Sequence, residues 1–118
     1  MNLKDYQNLI EDNPIAFSTV TDNNKPNVIG IAYVKVVGDA QILITDNYMK
    51  GTKENIEKNP NICLAVWDKE WNGYKIIGKA QYLTSGEWFD FIKSMPENKG
   101  FPAKGAILIT ISKIRELG

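Results

Sequence analysis

Short runs of β-branched and aromatic residues, separated by turn-forming residues, recur from residue 15 almost to the end of the chain. The first run alternates apolar and polar side chains, as a half-buried strand does. Two further runs flank Gly38-Asp39, which predicts a hairpin. The run at 62–67 has few polar residues, which predicts a strand buried on both faces. The predicted strands are 15–20, 27–37, 41–45, 62–67, 74–83 and 106–114.

Three segments outside these runs have helical patterns. Apolar residues recur at helical spacing within 2–12, and the Lys/Glu-rich stretch 49–59 predicts a surface helix. Thr84-x-x-Glu87 resembles a capping box, so we expect a third helix there that ends at Pro96 and buries one face. The residues on that face are Trp88, Phe91, Ile92 and Met95.

These helical segments do not alternate regularly with the strands, which argues against a doubly wound parallel sheet. We therefore expect a mainly β fold with short helices, an α+β barrel of about six mostly antiparallel strands. A barrel of this size is packed by its own side chains. The chain has 118 residues and no linker-like segment, so we expect one domain over 1–118.

The composition excludes several kinds of functional site. The chain has no histidine, which excludes a Ser-His-Asp triad, an H-E-x-x-H zinc site and ordinary histidine ligation of haem. A single cysteine, Cys63, excludes an intrachain disulfide, and its apolar neighbours predict an inert buried thiol. A net charge of zero argues against nucleic-acid binding. No apolar stretch approaches ~20 residues and the first residues are charged, so we expect a cytoplasmic protein that does not span a membrane.

The segment 45–55 joins the end of a predicted strand to the start of a predicted helix. Free N–H groups at a helix start bind anions, and Thr52 is the predicted N-cap. Lys50 and Lys53 flank it, where each cation is unfavourable by ~0.3–1 kcal/mol unless an anion lies between them. These residues therefore favour a phosphate group. The alternative is a solvated, lysine-rich turn whose charge is balanced by neighbouring acidic residues.

Phe101 is the aromatic residue that best fits a ring-stacking role. It lies in the loop sequence Gly100-Phe101-Pro102, where an aromatic side chain needs a partner. Trp67 and Trp88 belong to a strand pattern and a helix pattern, so we expect both in the core. Trp71 lies in a turn and is expected to be exposed or at an interface.

The order and spacing of these segments resemble the short members of the pyridoxamine 5′-phosphate oxidase-like family, the FMN-binding split barrels. The resemblance extends over nearly the whole chain. The segments that carry it are Ala16-Phe17-Ser18-Thr19-Val20, Lys25-Pro26, Gly30-Ile31-Ala32-Tyr33, Leu43-Ile44-Thr45-Asp46, Thr52-x-x-Asn55-Ile56, Asn59-Pro60-Asn61-Ile62, Tyr74-x-x-x-Gly78-x-Ala80 and Ala106-Ile107-Leu108-Ile109-Thr110.

The resemblance implies a split β-barrel and a homodimer with two FMN sites at the subunit interface. In such proteins the strand that matches Gly30-Ile31-Ala32 passes along the flavin with its backbone. A loop aromatic, here matched by Phe101, lies against the isoalloxazine ring. The segment 45–53 surrounds the phosphate, and the Asn55 position supports it. The residues of that segment implied to bind FMN are Thr45, Asp46, Met49, Lys50, Thr52 and Lys53.

Two features depart from the family pattern. Thr52 stands where many relatives have a basic residue, so we expect Lys50 or Lys53 to replace it. The chain also lacks the C-terminal segment that completes the substrate site of pyridoxamine 5′-phosphate oxidase. We therefore do not expect it to take part in vitamin B6 synthesis.

The expected function is that of an FMN-binding flavoprotein with oxidoreductase or electron-transfer chemistry. The redox step would take place at the flavin ring, and the protein would supply binding and orientation. One alternative is a non-catalytic module that stores, carries or senses a flavin. Another is binding of the deazaflavin F420, which the resemblance also allows. Haem, which some relatives bind, is disfavoured because the chain has no histidine.

Overall fold

The computed structural model describes residues 2–117 and consists mainly of antiparallel strands. Five of the six predicted strands form within two residues of their predicted bounds. The helices are α1 Gln7–Asp12, α2 Thr52–Lys58 and α3 Glu87–Ser94, with 3-10 turns at Leu3–Tyr6 and Pro96–Asn98. The strands are β1 Ile15–Val20, β2 Pro26–Ile31, β3 Val34–Val36, β4 Gln41–Asp46, β5 Asn61–Trp67, β6 Gly73–Leu83 and β7 Gly105–Glu116.

The strands form one sheet in the order β2-β1-β5-β6-β7-β4-β3. Strands β2 and β3 are consecutive in the chain but lie at opposite edges of this sheet. Three residue steps separate Ile31 from Val34, and they reach at most about 11 Å. The sheet must therefore curl until its two edges approach each other. The result is a split barrel with a seam between β2 and β3, which confirms the predicted fold class.

The predicted strand 27–37 is two strands, and that part of the prediction is wrong. Residues up to Ile31 pair with β1, whereas residues from Val34 pair with β4. The chain changes partner at Ala32 and Tyr33, so residues 27–37 do not form one continuous strand. The β-branched residues continue on both sides, so no local signal marked the break.

The barrel interior is filled by alternate side chains of six strands. The fully buried residues among them are Ile15, Phe17, Ile42, Ile44, Leu64, Val66, Ile76, Ile107 and Ile109. Leu3 and Ile10, from the N-terminal helical segment, are also buried and join this core. A second apolar cluster lies outside the barrel, where α3 covers Leu43 and Ala106.

Several local predictions are corrected by the packing. Strand β5 alternates between buried and half-buried residues, so it is not buried on both faces. Trp67 is half-buried rather than in the core, and its ring stacks on Trp71 at 6.3 Å between centroids. Trp88 is also half-buried. On α3, Phe91 is exposed and Phe89 packs in its place.

The predicted capping box at the start of α3 is also wrong. The N-cap residue is Gly86, with φ of 95°, and within residues 2–117 no side chain caps the helix. A positive φ suits glycine because it has no Cβ to clash. No helix among residues 2–117 is long and apolar enough to cross a membrane.

Candidate functional site

A cleft of about 430 Å³ lies where the two edges of the sheet meet. Its volume falls within the ~300–1,000 Å³ that is usual for small-molecule sites. We call it the seam cleft. It is lined by Ile29, Gly30, Ile31, Ala32, Tyr33, Thr45, Asn47, Tyr48, Met49 and Lys50. One wall therefore comes from the end of β2, and the other from the segment that follows β4.

The β2 wall offers backbone groups to a ligand. Strand β2 is an edge strand, so alternate N–H and C=O groups along its outer side have no ladder partner. Gly30 adds no side chain, and a Cβ at this position would meet no atom of the described residues within 4 Å. Glycine is thus not required by packing at this position. It leaves bare backbone beside the cleft, which a flat ring can approach closely.

The opposite wall is held in place by the carboxylate of Asp46, the last residue of β4. This residue is 1% exposed. Its Oδ1 accepts a hydrogen bond from the Met49 N–H at 2.9 Å, and its Oδ2 accepts one from the Tyr82 hydroxyl at 2.6 Å. Burial, and then the hydrogen bond to Asp46, raise the pKa of Tyr82 above its ordinary value. Tyr82 therefore remains a neutral donor at physiological pH.

Lys104 completes this arrangement from the loop before β7. Its Nζ donates to the Met49 carbonyl oxygen at 2.8 Å and lies 3.8 Å from Asp46 Oδ1. Its backbone N–H donates to the Asp46 carbonyl oxygen at 2.7 Å. The Asn47 side chain bonds the same loop, through Asn98 Oδ1 at 2.7 Å and the Ala103 N–H at 2.9 Å. The wall of the cleft and this loop therefore form one hydrogen-bonded unit.

Phe101 lies on that loop and contacts the wall through an aromatic pair. Its ring meets Tyr48 edge-on, with centroids 6.2 Å apart and an interplanar angle of 74°. Phe101 is 43% exposed and Tyr48 is 68% exposed. Phe101 does not line the seam cleft, whereas Tyr48 does. The two rings form an apolar rim beside the cleft.

A second, smaller cleft of about 210 Å³ lies on the other side of Met49. We call it the lysine cleft, because Lys53 and Lys104 both line it. Lys53 Nζ lies 5.7 Å from the centre of the Tyr82 ring, within the range of a cation–π contact. Asp46 and Glu54 also line this cleft, so its charge is mixed.

Thr52 and Asn55, both implied to lie near the phosphate, line neither of the two clefts. Thr52 is the first residue of α2 and not its N-cap, which is Gly51 with φ of 82°. Its side chain is 1% exposed, and its Oγ1 is buried without a hydrogen-bond partner among residues 2–117. Asn55 Nδ2 donates to Thr19 Oγ1 at 3.1 Å, which ties α2 to β1.

The structure thus brings together part of the predicted site. Six predicted residues line the seam cleft, namely Gly30, Ile31, Ala32, Thr45, Met49 and Lys50. Asp46 and Lys53 line the lysine cleft, as Met49 also does. The lining residues that were not implied to bind FMN are Ile29, Tyr33, Asn47 and Tyr48 in the seam cleft, and Gly51, Glu54, Tyr82, Thr84 and Lys104 in the lysine cleft. Asn47 and Tyr33 adjoin predicted residues, which is the one signal that pointed to them. Tyr82 and Lys104 are distant in sequence.

The model of the pyridoxamine 5′-phosphate oxidase family matches residues 3–118. The chain belongs to this family. An uncharacterised family relative in Methanocaldococcus jannaschii is 29% identical over 113 residues, which are 92% of this chain and 75% of that protein. A pyridoxine/pyridoxamine 5′-phosphate oxidase of Bdellovibrio bacteriovorus is 32% identical over 78 residues, 65% of this chain and 39% of that enzyme.

Solved structures with the same fold cover almost the whole chain. HupZ of Group A Streptococcus superposes with a TM-score of 0.90 at 24% identity, over 99% of this chain and 94% of that one. An FMN-binding protein of Syntrophomonas wolfei has a TM-score of 0.81 at 23% identity, over 98% and 86% of the two chains. An F420 reductase has a TM-score of 0.71 at 15% identity, over 91% and 92%. At these identities the likeness shows the family fold.

Proposed function

We propose that this protein binds FMN in the seam cleft and acts as a flavoprotein in oxidoreductase or electron-transfer chemistry. The observation that carries the proposal is the seam cleft itself, where Gly30-Ile31-Ala32 and the segment after β4 form opposite walls. Membership of the family supports it, as does the shared fold with an FMN-binding protein.

The residues of the cleft fit the chemical character of a flavin. The unpaired edge of β2 presents the N–H donors and C=O acceptors that a heterocyclic ring edge requires. Ile29, Ile31 and Met49 supply apolar surface for the flat ring. Lys50 supplies a positive charge at the same cleft, suited to a phosphate group. The rim formed by Tyr48 and Phe101 gives aromatic surface that excludes water from one side.

FMN, when bound, supplies the ability to accept and donate electrons at its ring. The chain supplies binding and orientation. Among the described residues that line the seam cleft there is no carboxylate and no thiol. The side chains there therefore act by holding and shielding a ring rather than by moving protons from a carboxyl group.

We further propose a homodimer in which the second copy covers the open side of the seam cleft. The register aligns Gly30, Ala16, Ala65 and Lys75 in one row across β2, β1, β5 and β6. This row lies on the outer face of the sheet, since Phe17, Leu64 and Ile76 alternate with it and are buried inside. The first three residues of this row have small or no side chains and leave a flat surface that begins at the seam cleft, and exposed Lys75 borders it on β6. A second copy of the chain would cover both this flat surface and the open side of the seam cleft.

Size-exclusion chromatography of an Ala65→Arg variant tests the homodimer. We expect the wild-type chain to elute at twice the mass of the variant, because a long cation in the centre of a flat apolar face prevents close packing. We also expect the variant to bind FMN at least tenfold more weakly. An unchanged elution volume would refute this interface.

Flavin titration with a matched pair of variants tests the FMN proposal. Wild-type protein is titrated with FMN while flavin absorption and fluorescence are recorded, and we expect one FMN per chain. In Gly30→Trp, the new side chain has open space at its Cβ, so the protein should fold, but the ring blocks the seam cleft and FMN binding is lost. Val28→Trp, two residues away on the same strand and also exposed, is the control and should keep the wild-type Kd. Equal binding by both variants would place the flavin elsewhere.

F420 is the second candidate ligand, because an F420 reductase shares the fold over 91% of the chain. A parallel titration with F420 distinguishes the two, since the tighter ligand identifies the cofactor. A non-catalytic flavin carrier is distinguished by NAD(P)H oxidation with an added electron acceptor. A carrier should give no turnover above that of free FMN, whereas an oxidoreductase should exceed it.

A further inference from the structure

The backbone of Met49 is held at both of its polar groups by side chains from distant parts of the chain. Its N–H donates to Asp46 Oδ1 at 2.9 Å, and its carbonyl oxygen accepts from Lys104 Nζ at 2.8 Å. Asp46 Oδ2 is in turn held by the Tyr82 hydroxyl at 2.6 Å. We call Asp46, Tyr82 and Lys104 the Asp46 clamp. It joins β4, β6 and the loop before β7 around the backbone of Met49, whose N–H and C=O belong to two consecutive peptide units.

The three clamp residues lie outside the seam cleft, and their side chains contact its wall at the backbone of Met49. None of the three clamp residues lines the seam cleft, whereas Met49 and its neighbours Tyr48 and Lys50 all do. Because the Met49 N–H and C=O are both held, the direction of the chain after β4, along the cleft, is fixed. A change in the clamp alters the shape of the wall without removing an atom that a ligand touches.

Burying the Asp46 carboxylate in the clamp costs more free energy than forming a simple turn with an exposed Asp. An Asp at the start of a turn can accept a local N–H while its carboxylate stays in water. Here the carboxylate is 1% exposed, and burying a charge is unfavourable unless it is paired and hydrogen-bonded. Tyr82 and Lys104 supply those partners. Local costs of this kind, met by contacts from elsewhere in the fold, are characteristic of functional positions.

We infer that the Asp46 clamp is a positioning device that sets the Met49 wall of the seam cleft and thereby determines how tightly a flavin ring is held. The inference rests on the proposed FMN function. Asp46, which family resemblance implied to bind the cofactor, is a positioning residue that acts through Met49. Tyr82 and Lys104 share that role.

Two ligands and two variants test the clamp. Tyr82→Phe removes only the hydroxyl that holds Asp46, and it is titrated with FMN and with riboflavin, which lacks the phosphate. We expect the Kd for both flavins to rise by the same factor, about tenfold, as losing outer-shell partners costs roughly 10–100-fold at metal sites. Tyr74→Phe is the control, because Tyr74 is on the same strand and packs edge-on against Tyr6. It should leave both Kd values unchanged.

Amide hydrogen exchange in the flavin-free protein tests independently whether the clamp holds the Met49 backbone. The Met49 amide should exchange at least tenfold faster in Tyr82→Phe than in the wild type, while the core amide of Ile107 is unaffected. If Tyr82→Phe does not fold, Lys104→Met serves in its place, because it removes the bond to the Met49 carbonyl oxygen at an exposed site.

Three results would overturn the inference. Unchanged Kd values in a folded Tyr82→Phe protein would show that the clamp does not affect binding. A loss confined to FMN would show that the lysine cleft contacts the phosphate directly. Unchanged exchange at Met49 would show that the clamp does not hold the wall. If wild-type protein binds neither flavin, the proposed function fails, and the exchange experiment still decides whether the clamp holds Met49.

Discussion

Lys50 and Lys53 are both implied to lie near a phosphate, and the structure places them in different clefts. Lys50 lines the seam cleft, whereas Lys53 lines the lysine cleft and lies over the Tyr82 ring. We therefore predict that Lys50→Ala weakens FMN binding and that Lys53→Ala has a much smaller effect. The two substitutions remove the same charge three residues apart, so each is a control for the other.

The magnitude follows from Coulomb's law for exposed charges. Two unit charges 4 Å apart attract by about 1 kcal/mol in bulk water and by about 4 kcal/mol at an effective dielectric constant of ~20. Both lysines are exposed, so the lower part of that range applies. We expect about 1–2 kcal/mol for Lys50→Ala, which is a factor of roughly 5–30 in Kd.

Isothermal titration calorimetry with FMN and with riboflavin measures the change in Kd directly. The loss in Lys50→Ala should be confined to FMN, since riboflavin carries no phosphate. It should also shrink as salt is raised from ~0.1 M to ~1 M, where the Debye length falls from about 10 Å to about 3 Å. A larger loss in Lys53→Ala, or an equal loss for riboflavin in Lys50→Ala, would refute the assignment of the phosphate to the seam cleft.

Three further predictions concern stability and reactivity. Phe17→Ala, in the barrel core, should lower the free energy of unfolding by about 3–5 kcal/mol in urea titrations, whereas Val28→Ala at an exposed site should change it by less than ~0.5 kcal/mol. Because burial and Asp46 raise the pKa of Tyr82, the unfolded chain loses this proton at about pH 10 while the folded chain keeps it. Stability should therefore be complete below about pH 10 and fall above it, and urea midpoints should show a smaller fall in Tyr82→Phe. Burial raises the pKa of Cys63, so Ellman's reagent should react more slowly with the native protein than with free cysteine, and Lys75→Ala should slow it further by removing a nearby cation.

Much of the fold could be predicted because the strands follow from patterns of neighbouring residues in the sequence. In β1, Ile15 and Phe17 are buried and Ser18 is half-buried, as the period-two pattern predicts, whereas polar Thr19 is buried as well. The break at Ala32 and Tyr33 was missed, because it depends on which strands are neighbours at the two sheet edges. The predicted caps at Thr52 and Thr84 are wrong because glycine with a positive φ occupies the N-cap position of each helix.

In the candidate site, too, the parts that are local in sequence could be predicted and the long-range contacts could not. Thr45, Met49 and Lys50 follow one another in the chain, so a segment found from its sequence stays together in the cleft. The meeting of this segment with Gly30 follows from the resemblance to a known family and from the closure of the barrel. Contacts of Asp46 with Tyr82 and Lys104 span 36 and 58 positions of the sequence, and no local pattern encodes them.

The free edge of β2 also bears on how the protein behaves before it meets a ligand. A row of unpaired N–H and C=O groups is a template for strands of other molecules, and natural proteins usually cover or charge such edges. Here the edge carries Val28, Gly30 and no charged residue between Pro26 and Ile31. The same backbone that suits a flat ring is thus a site for intermolecular strand pairing. We therefore expect a ligand in the seam cleft to protect the chain against aggregation, so that a flavin added during refolding raises the yield of native protein.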